Sequence, residues 1–143
     1  MLDLIIKNGL CYIDNNLKDV DIGIQSSKII KIGKLNEEAN QLIDATGLTV
    51  FPGCIDTQTH FREPGSTDTE DLNSGSRAAI VGGITSVFEM PNTNPATTNQ
   101  EEFKRKINLA KNRMYCNHAF YFGATPNNQR ELATLKGLEG CWG

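Results

Sequence analysis

The chain has 143 residues, 38% of them hydrophobic and 22% charged, and a formal net charge of −3. That is globular composition at the size of an ordinary domain, and its slight acidity disfavours nucleic acid, which selects for concentrated Lys and Arg. No run of about 18 apolar residues is present to span a membrane, and the opening MLDLIIKNGL carries Asp3 and Lys7 instead of a basic leader and apolar core, so the expected location is cytoplasmic.

Residues 1–51 read as short strands, the N-terminal part of a small β-sandwich-like domain. Leu2 to Lys7 alternates imperfectly, whereas Val20 to Gln25 alternates cleanly, with Val20, Ile22 and Ile24 on one face. Ser26-Ser27 marks a turn into a second strand, Ile29 to Ile32, so this pair predicts a hairpin. Asn8-Gly9 and Asp14-Asn15-Asn16 mark further turns, and residues 42–44 and 48–51 suit two more short strands. About fifty residues of hairpins bury only a thin core.

Residues 52–143 change rhythm. An apolar run at 53–56 leads into a polar loop. Residues 71–81 have helical composition, stopped by Gly82-Gly83. Ile84 to Met90 is a β-branched, apolar strand ending at Pro91. Asn99 is a helix N-cap with Glu102 three residues on, the spacing of a capping box, and Phe103, Ile107 and Ala110 form that helix's apolar stripe. Tyr115 to Phe122 suits a third strand and Gln129 to Leu135 a last helix, ended by Gly137. This alternation predicts an α/β fold of about three βα units on a parallel sheet.

The four cysteines, Cys11, Cys54, Cys116 and Cys141, form no C-x-x-C pair. They are expected to be reduced thiols, packed mostly as small apolar groups. In parallel α/β folds, ligands bind beyond the carboxyl ends of the strands, and three polar clusters fall there. Gln58, His60, Arg62 and Glu63 follow the first strand, Asn92, Thr93 and Asn94 the second, and Thr125, Asn127 and Asn128 the third. His60 lies two residues from Gln58, so a strand points both side chains the same way. The imidazole suits either a metal ligand or a hydrogen-bonded loop histidine. Gln58 offers only a neutral oxygen, a poor zinc ligand. Arg62 suits either a bidentate grip on a carboxylate or an ion pair with Glu63. Asn92 suits an amide or carboxylate ligand, or an Asx-turn. His118, inside a strand pattern, reads as a half-buried strand histidine.

The segments VFPGCIDTQTHFREPG and SGSRAAIVGGITSVFEMPNTNP, with the N-terminal KIIKIG strand, resemble the amidohydrolase superfamily, and within it the class I dihydroorotases. That family reads P-G-x-I-D-x-H-x-H-x-R-E-P-G, then A-A-x-x-G-G-I-T, then M-P-N-T-x-P; the Arg and the M-P-N-T segment favour dihydroorotase over allantoinases and dihydropyrimidinases. The resemblance implies a metal-dependent hydrolase with a (β/α)8 TIM barrel, of which residues 52–143 form the truncated start. It implies His60 as a zinc ligand, Gln58 at the position of the family's first His, and Arg62 and Asn92 as the groups holding the substrate carboxylate. The implied reaction is reversible cyclisation of N-carbamoyl-L-aspartate to dihydroorotate, in pyrimidine biosynthesis. The catalytic Asp and further ligands come from later strands in the family, so the segment alone is expected to hold no catalytic residue and to be inactive. The departure at Gln58 opens a second expectation, a non-catalytic homologue with a structural role. The implied partners are the small-molecule substrate and a homo-oligomer or aspartate transcarbamoylase.

Overall fold

Residues 1–143 are described by a computed structural model, and they divide into two units, Met1–Pro52 and Gly53–Gly143. Pro52, grouped on sequence grounds with the second segment, falls in the first unit.

The first unit holds seven strands: β1 (Leu2–Lys7), β2 (Leu10–Ile13), β3 (Asn16–Asp19), β4 (Asp21–Gln25), β5 (Lys28–Gly33), β6 (Ala39–Asp44) and β7 (Thr49–Val50). They make a four-stranded sheet, β5-β4-β1-β6, and a three-stranded one, β3-β2-β7. The expected hairpin is β4–β5, turned by Ser26 and Ser27 at φ 50° and 60°, the paired left-handed residues of a type I′ turn. The expected clean alternation fails. Val20 precedes β4, and Asp21, Ile22 and Gly23 are all buried. Asp21 tolerates this because its carboxylate accepts the backbone N–H groups of Leu35 (2.9 Å) and Asn8 (3.1 Å). The core is thin, built on Leu2, Ile5 and Leu35, while Ile29, Ile32, Leu42 and Ile43 stay exposed.

The second unit alternates β8 (Cys54–Thr59), α1 (Leu72–Val81), β9 (Ile84–Glu89), α2 (Gln100–Ala110), β10 (Asn117–Phe120) and α3 (Gln129–Leu132). The strands pair in parallel in the order β10-β9-β8. Asp71 and Ser74 close a reciprocal capping box on α1, and Gly83 (φ 84°) supplies the left-handed residue after it, its N–H bonded to Ile80 O. On α2 only half of the expected box forms: Asn99 Oδ1 accepts the Glu102 N–H (2.8 Å), but the Glu102 carboxylate turns to Arg105. The last strand and helix are shorter than expected. After Leu132 the backbone bonds run from Thr134 to Glu131 and from Leu135 to Leu132, tight turns in place of a continued helix. The core joins Phe61, Leu72, Val87, Phe103, Ala110, Cys116, Phe120 and Phe122. Gly75 on α1 is needed there, because a Cβ at that position would collide with the Phe61 ring.

Candidate active-site rim

Because β8, β9 and β10 run parallel, their carboxyl ends lie on one edge of the sheet, and the three polar loops leave from that edge. The register between β8 and β9 slips between Asp56 and Thr59. A bulge at a strand end re-aims the next residues and is common beside functional sites. The Gln58 N–H donates to Asp56 Oδ1 (2.9 Å), and its side chain is exposed. Thr59 turns inward, with its hydroxyl on Phe88 O (3.2 Å), and His60 comes directly after it.

His60 meets Asn92 across the first two loops, with Nδ1 2.8 Å from Asn92 Oδ1. An amide oxygen only accepts, so this contact selects the neutral tautomer with the proton on Nδ1, in which the Nε2 lone pair is free. This is how a polar neighbour sets the tautomer and orientation of a ligating or proton-accepting histidine. The two loops are also joined through the backbone, by Asn94 N–H to Pro64 O (2.9 Å).

Arg62 does not continue the strand alternation, because its backbone is left-handed, with φ 61°. The other non-glycine residues with positive φ are Asn8, Asp14, Asn15, Ser26, Ser27 and Asn112, all small polar residues, with Asn and Asp the types that visit this region most readily. Arg62 is the one large side chain among them. It is exposed and joins none of the chain's ion pairs. The acid next to it is committed elsewhere. Glu63 holds Arg113 in two contacts (2.7 and 3.0 Å) and accepts the Leu72 N–H (2.9 Å) at the start of α1. The ion pair between Arg62 and Glu63 allowed by the sequence is therefore not formed.

The third loop behaves differently. Asn128 turns inward, donating from Nδ2 to Thr98 O (2.7 Å) and Gly123 O (2.8 Å) and accepting the Thr125 N–H (2.8 Å). It braces the loops after β9 and β10. His118 is exposed, not half-buried, with Nδ1 3.3 Å from Cys116 O.

Sequence reasoning missed the buried ions beneath this rim. Glu89, the last residue of β9, is 1% exposed, and Lys106 of α2 is 0% exposed. The two are ion-paired through Glu89 Oε2, and Oε1 has no hydrogen-bond partner. Burial pushes the Glu89 carboxyl up and the Lys106 ammonium down from their ordinary values, and their mutual attraction opposes both shifts. The signals were present: an acid inside an apolar strand, and a lysine three residues after Phe103 on the buried stripe.

No group of three or more His, Cys, Asp or Glu side chains in this chain gathers as a metal site. His60 supplies one imidazole and Gln58 a neutral amide, and zinc sites use three or four strong ligands. These residues do not by themselves make up the zinc site that the resemblance implies.

The second unit is thus a parallel β/α layer that carries His60, Asn92 and the unpaired guanidinium of Arg62 in the loops at its carboxyl edge. The chain belongs to the amidohydrolase family, whose pattern matches residues 49–138. It is 43% identical over 134 residues to an allantoinase from Salmonella choleraesuis (strain SC-B67), covering 93% of this chain and 30% of that protein. Its structure is similar to the L-hydantoinase (dihydropyrimidinase) of Arthrobacter aurescens, with a TM-score of 0.87, 31% identity, and coverage of 95% of this chain and 31% of that one. It is similar also to the D-hydantoinase (dihydropyrimidinase) of a Thermus species, with a TM-score of 0.75, 28% identity, and coverage of 92% and 30%. The chain thus spans about 30% of the length of the relatives it matches. None of its helices is long and apolar enough to cross a membrane.

Proposed function

We propose that this chain supplies the first part of the substrate rim of a hydrolase that opens a cyclic amide. The observation that carries the reading is the His60–Asn92 pair, which leaves Nε2 free at the carboxyl edge of the sheet. Asn92 keeps its Nδ2 hydrogens for a ring carbonyl, and Arg62 offers an unpaired guanidinium to an oxygen of the substrate. The left-handed backbone of Arg62 supports a functional role, since strain of that kind is usually retained where it serves a site.

The substrate class supported best is a ring of the allantoin and hydantoin kind, after the names of the relatives. Dihydroorotate is the finer alternative. Its carboxylate suits Arg62, which has no acidic partner in the chain. The test is ring opening by the polypeptide that carries this sequence, with allantoin, hydantoin and dihydroorotate assayed separately. Turnover lowered by both Arg62→Ala and Asn92→Ala supports the reading. Absence of turnover on all three substrates overturns it.

Gln58 favours a second reading, a non-catalytic homologue whose role is structural, with aspartate transcarbamoylase as the partner to assay. Under that reading Gln58→His increases the zinc retained in metal analysis without creating turnover, and the unmutated chain co-sediments with the transcarbamoylase. Turnover by the unmutated protein removes this reading.

A further inference from the structure

Lys106 stands out because a buried ammonium is hard to accommodate, and α2 places Lys104 and Arg105 in solvent without difficulty. Its Nζ does two things. It is ion-paired with Glu89, and it donates to the carbonyl oxygen of Met90 at 3.0 Å. It also lies 5.5 Å from the centre of the Phe120 ring, a placement that favours a cation.

The contact with Met90 is the informative one. Met90 is the residue after β9, and its own N–H donates to Thr59 O at 2.9 Å. Met90 is therefore held from two sides, by β8 through its nitrogen and by α2 through its oxygen. Thr59 immediately precedes His60, and Asn92 lies two residues past Met90. Both members of the His60–Asn92 pair are thus within two residues of the same anchored point. A buried ammonium has three N–H donors to place, and Lys106 places one of them on the carbonyl of this doubly held residue.

We propose that Lys106 is a positioning residue for the rim: by fixing the Met90 carbonyl it sets where Asn92 stands, and so keeps the His60 proton on Nδ1. The proposal rests on the reading of His60 as part of the site, but its main readout does not depend on turnover. Without the anchor, Pro91-Asn92 moves, Asn92 Oδ1 leaves Nδ1, and the imidazole samples both tautomers.

The test compares the unmutated chain, Glu89→Gln, and the double variant Glu89→Gln with Lys106→Met, which leaves neither of these two positions charged. Histidine labelled with 15N reports the His60 tautomer, with exposed His118 as internal reference. Expected are a single Nδ1–H tautomer in the unmutated chain and in Glu89→Gln, which keeps the Met90 contact. In the double variant the single tautomer is lost, although the protein still melts cooperatively. A double variant that keeps the single tautomer overturns the proposal and leaves Lys106 as a counter-ion only. A second measurement on the unmutated chain covers a double variant that fails to fold: scalar coupling across the hydrogen bond from Lys106 Nζ to the Met90 carbonyl carbon is expected, and its absence also overturns the proposal. Where ring opening is measurable, kcat falls in the double variant with KM little changed. A tautomer change in a protein that opens no ring supports the positioning role while removing the proposed hydrolase function.

Discussion

Asp21 and Glu89 are both buried carboxylates, one in each unit, and they are held in opposite ways. Asp21 accepts two backbone N–H groups, from Leu35 and Asn8, so its charge is answered by dipoles already fixed in β structure. Those bonds, Leu35 first, hold its carboxyl below the ordinary value against the opposing effect of burial. Glu89 is answered chiefly by the ammonium of Lys106, with smaller help from the Phe61 N–H and from His60. Its carboxyl is pushed up by burial. The cores of the two units differ too: the first is built on Leu2, Ile5 and Leu35, the second on four phenylalanines and other apolar groups. A thin core stays near water and backbone dipoles and can carry a lone carboxylate. A thick one cannot, and demands a counter-charge.

The largest expected effect tests the second half of that contrast. Lys106→Met leaves Glu89 buried without a partner and is expected to destabilise the second unit by about 3–5 kcal/mol. Adding Glu89→Gln should recover most of the loss. Urea unfolding followed by fluorescence of Trp142, the single tryptophan, which stacks on Phe88, reports this unit. Full stability of Lys106→Met alone would mean that the pair is not needed to hold Glu89.

Asp21→Asn tests the first half. An amide presents one oxygen where the carboxylate presents two, so a backbone N–H loses its acceptor, at a cost of about 1–3 kcal/mol. The pH dependence has a definite sign. Because the folded carboxyl titrates below its ordinary value, its stabilisation is complete above about pH 4 and is lost as pH falls through the lower folded value. The protection of the Leu35 amide against exchange, relative to the intrinsic rate at each pH, should fall on acidification in the unmutated chain and be insensitive to that titration in Asp21→Asn. Equal acid sensitivity in both proteins would assign the effect to other carboxylates.

Smaller effects come from the helix start and the rim. Asn99→Ala removes the cap that accepts the Glu102 N–H and should cost about 1 kcal/mol, read on the same Trp142 signal. At Arg62, glycine relieves a left-handed penalty of about 1–2 kcal/mol but adds backbone entropy worth about 0.5–1 kcal/mol. Arg62→Gly should therefore leave stability unchanged or slightly raised, while ring opening falls. A clear loss of stability would make Arg62 structural and remove it from the site.

The sequence by itself determined the order of elements in the second unit, while in the first it marked the turns beside β2 and β3 but not those strands. The β-branched run Ile84–Val87, the cap at Asn99 and Gly82-Gly83 are local signals, and the backbone obeys them because they act within a few residues. Gln58, His60, Arg62 and Asn92 were legible as candidates because parallel βα order puts their loops on one edge. Tertiary structure alone decided how those side chains are used. The His60–Asn92 bond spans 32 residues and the Glu63–Arg113 pair spans 50, and no local pattern encodes a partner at such range. The same holds for Asp21, Glu89 and Lys106, charged residues that an alternation rule sends to solvent. They are buried because the fold brings each of them a partner from a distant segment, two N–H groups in one unit and an opposite charge in the other.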